Sequence, residues 1–338
     1  HISRRRSNQR HSVPRLLRTR GSRALDSTPK PFSFSLLTTD NDFYHPILSC
    51  PCITAMVQSK GGFILRTDDR SHQEGSSVSK EPTDLGAIGM RQLFDDESCT
   101  CTYLLWDKET EDAILVDPVD KQVKRDLLVA TNLNLVLAVN THCHADHVSG
   151  TGVLKRKLKG LKSVISKASQ AKADKQIEHG DQVHFGNRFI TAIATPGHTE
   201  GCMSFLLDDG KAVLTGDALL VLGCGRTDLQ GGSAETLYDS IHNQMFTLPD
   251  DTIVFPGHDY NNGSKQTNSS TIGFEKEHNP RLGGGKTKEE FVHIMDNLNL
   301  PYPKKMDIAV PANLEDGAEP FFVHSLRTRI KQRWGIFG

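Results

Sequence analysis

The stretch NTHCHADHVSG, Asn140 to Gly150, limits what this chain can be more than any other. Between Thr141 and His147 it holds His142, His144, Asp146 and His147. It directly follows LNLVLAVN (133–140), a nearly continuous apolar run that reads as a strand buried on both faces. Alternate side chains of an extended segment point the same way, so His142 and His144 can face one point. Asp146 and His147 come after the backbone turns, where a helix is about to start, and so face a neighbouring point. Imidazoles and carboxylates suit zinc, iron or manganese. Three further residues sit in turn-like strings, each after a β-like run: His198 in TPGHTEGC, Asp217 in LTGDALL and His258 in FPGHDY. Any one of these histidines alone reads as an ordinary hydrogen-bonded residue. In this order, the set predicts a metal centre where loops converge on one edge of a sheet. The string itself leaves open whether it holds one ion or two.

Elsewhere strands and helices interleave, which favours sheets with helices outside. SCTCTYLLWD (98–107) and DAILVDPV (112–119) flank the charged turn KETE, a hairpin signal. DKQVKRDLLVATNLN and VSGTGVLKRKLKG read as helices, and KSVIS as a strand. DQVHFGNRFITAIATPG and MSFLLDDGKAVLTGDALL each read as two strands around a glycine-containing turn. Ser233 is the expected N-cap of the helix that follows it, and Thr287 with Glu290 has capping-box spacing.

The chain carries 40 basic and 41 acidic residues, so its overall field favours no nucleic-acid partner. No run of about 18 apolar residues suggests a membrane span. The seven cysteines are an odd number, and Cys50/Cys52 and Cys99/Cys101 have C-x-C rather than C-x-x-C spacing. They read as small buried or incidental residues. Residues 1–39 contain nine Arg or Lys against the single acid Asp26. That is the composition of an organelle transit peptide, with a mitochondrial matrix location as the expectation. A nucleic-acid-binding arm, or translated upstream sequence ahead of the first methionine, Met56, competes with it.

H-x-H-x-D-H followed by His, Asp and His resembles the metallo-β-lactamase superfamily, from about Met90 to Asn313. The resemblance implies an α+β fold, an αββα sandwich. In that superfamily His142, His144 and His198 would hold one metal, and Asp146, His147 and His258 a second, with Asp217 bridging. Taken at face value this is a dizinc hydroxyacylglutathione hydrolase (glyoxalase II-like). Two Zn(2+) about 4 Å apart would share a hydroxide that attacks a thioester carbonyl.

The surrounding strings are similar to a different branch. THCHADH, GDALLVLGCGRTDLQGGSAETLYDSIH, HNPRL and FVHIMDNLNLPYPKKMDIAVPAN resemble the persulfide dioxygenases, the ethylmalonic encephalopathy protein family. GCGRTD and NLNLPYPK are the most specific pieces. Glyoxalase II shares only the GCGR part and carries a longer helical C-terminal domain. This resemblance implies one Fe(2+) per chain, held by His142, His198 and Asp217. His144, Asp146, His147 and His258 would then orient the ligands by hydrogen bonds and leave the second site empty. Two histidines and one carboxylate leave three positions of an octahedral ion open, as in non-haem Fe(II) oxygenases. The implied reaction oxidises glutathione persulfide with O2 and water to sulfite and glutathione. A third reading keeps the fold as a non-catalytic interaction module.

The expected layout is a basic targeting-like segment over 1–55 and a disordered linker over 56–89. A metallo-β-lactamase-type catalytic domain over 90–316 and a basic tail over 317–338 complete it. A homodimer is left open. Tyr260 is a catalytic candidate whose hydroxyl would meet substrate or oxygen, against a packing role. Arg226 either holds a substrate carboxylate or ties the Asp217 loop to a neighbouring acid such as Asp228. Arg281 either binds the charged end of glutathione or fixes a loop. Cys143 falls between two ligands, but alternation turns it to the opposite face and into packing. The sequence has PGH before His258 where the family commonly has PAH.

Overall fold

The turn KETE sits between two apolar runs and is locked from one side. The Asp107 carboxylate accepts from the Glu109 amide, the Thr110 hydroxyl and the Asn187 amide at 2.8–3.0 Å. Around this hairpin the computed structural model builds two sheets. It describes the backbone at 57–59, 62–64 and 76–78, and residues 83–260 and 269–318. The basic N-terminal segment 1–55, residues 261–268 and the residues beyond 318, where the basic tail is expected, lie outside the described residues.

The chain divides into two units, His1–Asp69 and Arg70–Gly338. In the first, β1 (Val57–Ser59) and β2 (Gly62–Ile64) form an antiparallel hairpin. In the second, β3 (Ser76–Val78) and β4 (Thr83–Leu85) both pair with β5 (Ile88–Asp95). The expected linker over 56–89 therefore contains strands, and the sheet starts before Met90. Three-residue strands show no periodicity of their own; the edge of β5 recruits them.

The first sheet continues with β6 (Thr100–Asp107), β7 (Asp112–Val116), β8 (Asn134–Val139), β9 (Lys162–Ser166) and β10 (Lys175–Ile177). Its order is β10-β9-β8-β7-β6-β5-β3. The second sheet has the order β11 to β16. Its strands are β11 (Gln182–Phe185), β12 (Arg188–Ala194), β13 (Met203–Leu207), β14 (Ala212–Gly216), β15 (Ile253–Pro256) and β16 (Ser270–Thr271). Pairings from β7 to β10, and β14 with β15, are parallel, while the rest of the two sheets is antiparallel.

Strand alternation builds the layers. Ile114 and Val116 of β7 join Met90, Phe205, Leu214 and Phe255 in the core between the sheets. Ala113 and Leu115 of the same strand face outward, against α1 (Val123–Val129) and α2 (Thr151–Lys157). The outer face of the second sheet is covered by α3 (Ala234–Ser240), α4 (Ile272–His278) and α5 (Lys288–Asp296), through Leu237, Ile272 and Phe291. The arrangement is helix, sheet, sheet, helix, the expected αββα sandwich. Ser233 caps α3, and Thr287 with Glu290 forms a full capping box on α5. A last helix, α6 (Met306–Leu314), packs beneath the metal-binding string.

Phe205 is fully buried where the two sheets meet. Phe205→Ala should cost about 3–5 kcal/mol. Urea unfolding should show a lower midpoint with an unchanged slope; an unchanged midpoint would contradict this core.

Candidate metal centre

Every chemistry-bearing residue of the sequence motifs falls at one edge of the sandwich. The string 140–150 leaves the end of β8, His198 follows β12, Asp217 follows β14 and His258 follows β15. The two sheets are pinned together there by a bridge between Thr100 and His258 and by the Cys101 amide donating to the Gly257 carbonyl at 2.8 Å.

Hydrogen bonding behind each ring decides which nitrogen faces the site. Asp117, at the end of β7, accepts from the Thr141 amide at 2.7 Å, the Thr141 hydroxyl at 2.8 Å and His144 Nε2 at 3.0 Å. Because the Thr141 hydroxyl spends its proton on Asp117, it accepts from His142 Nδ1 at 3.0 Å. His198 Nδ1 donates to the Arg226 carbonyl at 2.7 Å, and His258 Nδ1 to the Cys99 carbonyl at 3.1 Å. His147 Nδ1 donates to Asp146 Oδ2 at 2.9 Å. The neutral form of each ring then turns one lone pair toward the site, as metal ligation requires.

Three of the atoms facing the site, Asp217 Oδ1, His144 Nδ1 and His147 Nε2, are buried without a hydrogen-bond partner. Buried polar atoms are normally paired, so these orphans fit an ion as their missing partner. The donor atoms gather in two groups whose members lie within 4.8 Å of one another: His142, His198 and Asp217, and then His144, Asp146 and His147. His258 Nε2 stands between them, 3.5 Å from Asp217 Oδ2 and 3.7 Å from Asp146 Oδ2. The superfamily pattern would put His144 with His142 and His198. Here His144 gathers with Asp146 and His147 instead, while Asp117 holds its Nε2.

Burial and neighbouring charges shift several of these side chains. Burial, with His144 and His198 beside it, holds the His142 pKa well below the ordinary histidine range. Burial would lower His144 too, but the Asp117 carboxylate outweighs it and raises the group. His258 is raised in the same way, with Asp217 and Asp146 overcoming burial. Asp146, despite its burial, is held well below the usual carboxylate range by His147 and His258.

The arginines are committed to the protein. Arg226 makes a two-pronged pair with Asp228 at 2.6 and 2.7 Å and donates to the Pro301 carbonyl at 2.7 Å. Of its two sequence readings, the geometry matches the tie to Asp228. Arg281 donates to the Cys224 carbonyl at 3.0 Å and so braces the GCGR turn. Tyr260 stacks on His258 with ring centroids 5.1 Å apart and is 62% exposed, which places it at the mouth of the site. Cys143 is buried against Met306 and Val310, on the face away from the ligands. At Gly257, where the sequence departs from PAH, a Cβ would lie 2.6 Å from Asp217 Oδ1. Among the described residues the cysteines are free thiols.

Sequence reasoning missed Asp117, Thr100 and Asn313. Thr100 donates its hydroxyl toward Asp146 Oδ2 at 3.1 Å. Asp117 had one visible signal, an acid before proline at a strand end, and it sits at φ 53°, a left-handed conformation seldom held without a local cause. Asp117→Ala should lower metal affinity about 10–100-fold, read by competition with a chelator. Unchanged affinity would contradict the role given to Asp117.

Comparison with known proteins identifies the family. Residues 96–258 match the metallo-beta-lactamase superfamily. The mouse protein named persulfide dioxygenase ETHE1, mitochondrial, is 48% identical over 72% of this chain and 95% of its own length. The crystal structure of ETHE1 from Myxococcus xanthus superposes with a TM-score of 0.64 at 50% identity, over 68% of this chain and 99% of that one. A hydroxyacylglutathione hydrolase of Brucella anthropi is 38% identical over 46% of this chain and 60% of its own. The chain belongs to the persulfide dioxygenase family of the metallo-β-lactamase superfamily.

Proposed function

We propose that the protein is an iron-dependent dioxygenase that converts glutathione persulfide, O2 and water into glutathione and sulfite. The observation that carries this reading is the convergence of His142, His198 and Asp217, two imidazoles and one carboxylate, on a single buried point. Such a trio holds Fe(II) on one face and leaves three positions for substrate and oxygen. Bound there, the iron supplies the redox chemistry that couples sulfur oxidation to reduction of O2. In the overall balance four electrons pass from the terminal sulfur to O2, and water supplies the third sulfite oxygen. One proton is released when the persulfide enters as its anion.

The chain's own residues set the conditions. His142 and His198 offer Nε2 lone pairs because Thr141 and the Arg226 carbonyl accept their Nδ1 protons. Asp217, 7% exposed, brings negative charge into a nearly dry site, and His258 Nε2 stands 3.5 Å from it. Burial restricts water around the reacting groups. Tyr260, exposed beside His258, would meet an incoming persulfide. Arg226 and Arg281 act on the site by holding the loop that carries the His198 acceptor. The relatives' mitochondrial naming and the basic, acid-poor segment 1–39 support the mitochondrial matrix as its location. No helix among the described residues is long and apolar enough to cross a membrane.

A second reading, a dizinc thioester hydrolase, rests on the orphaned His144 Nδ1 and His147 Nε2, which could hold a second ion. Oxygen uptake separates the two. Iron-loaded protein should consume O2 with glutathione persulfide, and Asp217→Ala should abolish both iron binding and uptake. Hydrolysis of lactoylglutathione without O2 uptake would overturn the dioxygenase reading.

A further inference from the structure

The loop that carries four of the site residues has little regular structure to hold it. Between His142 and Ser149 the backbone belongs to neither helix nor sheet, yet it is largely buried. Buried carbonyls and amides need partners, and an irregular loop cannot supply them from a ladder. One side chain supplies three. Asn313 Nδ2 donates to the His144 carbonyl and the His147 carbonyl, both at 2.9 Å, and its Oδ1 accepts from the Ser149 amide at 2.8 Å. Asn313 is 5% exposed and lies near the end of α6, more than 160 positions along the chain from the loop.

The rest of that segment is fastened to the body of the sandwich. The Lys172 amide donates to the Leu314 carbonyl at 2.9 Å. Lys155 Nζ pairs with Asp316 at 2.7 Å and with Asp174 at 2.6 Å. At Gly317 (φ +70°) a Cβ would come within 2.6 Å of the Ser149 carbonyl, so the chain there lies directly on the loop. Cys143, between the first two histidines, drops its side chain onto Val310 and Met306 of the same helix. The loop is thus held from below by α6 and clasped at its end by Asn313.

We infer that Asn313 is a positioning residue for the metal centre, and that metal retention depends on the α6 clasp holding the His144–Ser149 backbone in shape. Asn313 touches neither the ion nor the substrate. It fixes the two carbonyls that set how far the His144, Asp146 and His147 side chains stand from His142. Without it, two carbonyls and one amide lose their partners, and the loop can repack them only by turning the peptide units that carry these side chains. With a single ion the effect reaches the site through His144, whose ring lies 4.1 Å from that of His142; the inference therefore holds for either metal count, and its failure is distinct from failure of the dioxygenase reading.

The test compares Asn313→Ala and Asn313→Asp with the parent in the full chain. The Asp variant keeps the acceptor for Ser149 but loses both donors. Release of bound iron to an excess of chelator should be at least about 10-fold faster in both variants. The rise in Tm that iron gives the parent should also shrink, because weaker binding stabilises less. Equal release rates, with apo and loaded Tm lowered by the same amount, would show a purely structural residue and overturn the inference. If neither variant folds, hydrogen exchange in the parent decides. The Ser149 amide should exchange more slowly with iron bound than without it, and equal exchange with and without iron would overturn the clasp.

Discussion

The site depends on one constraint: every histidine at the sheet edge has an acceptor behind it. An imidazole can ligate only through a nitrogen that carries no proton, and the acceptor behind the ring decides which nitrogen that is. Asp117 does this directly for His144 and, through Thr141, for His142. Backbone carbonyls of Arg226 and Cys99 do it for His198 and His258. The acceptors belong to strand ends and turns of both sheets, so the sandwich has to close before the ligand set exists. The arginines of GCGRTD and HNPRL serve the same end, holding the turn whose carbonyl faces His198.

THCHADH offers the same residue types to a dizinc hydrolase and to an iron dioxygenase. In this chain the two candidate carboxylates are engaged differently. Here Asp146 accepts from His147 and faces the Thr100 hydroxyl, whereas Asp217 Oδ1 has no protein partner. His142, His198 and Asp217 are thereby grouped as a trio with a free carboxylate oxygen.

Much of this was legible in the sequence, and the illegible part has a common cause. Strands, caps and the seven candidate ligands are written locally, in alternation, in Ser233, in Thr287 with Glu290, and in turn strings such as TPGH and LTGD. Asp117, Thr100 and Asn313 act across separations of 24, 46 and up to 169 positions, and nothing beside them in the chain announces their partners. Arg226 was recognisable as an arginine with a task, but its partner depended on where Asp228 and residues 300–301 come to lie. The strands at 76–78 and 83–85 escaped because three residues carry no period and only the free edge of β5 gives them a place.

The central claim is that a single ion sits among His142, His198 and Asp217. A crystal structure of iron-reconstituted protein, with anomalous data collected at the iron edge, tests it most directly. One iron peak is expected in contact with an imidazole nitrogen of His142, one of His198 and a carboxylate oxygen of Asp217, with no metal at His144, Asp146 and His147. Two peaks, with the second held by Asp146, His147 and His258, would contradict it.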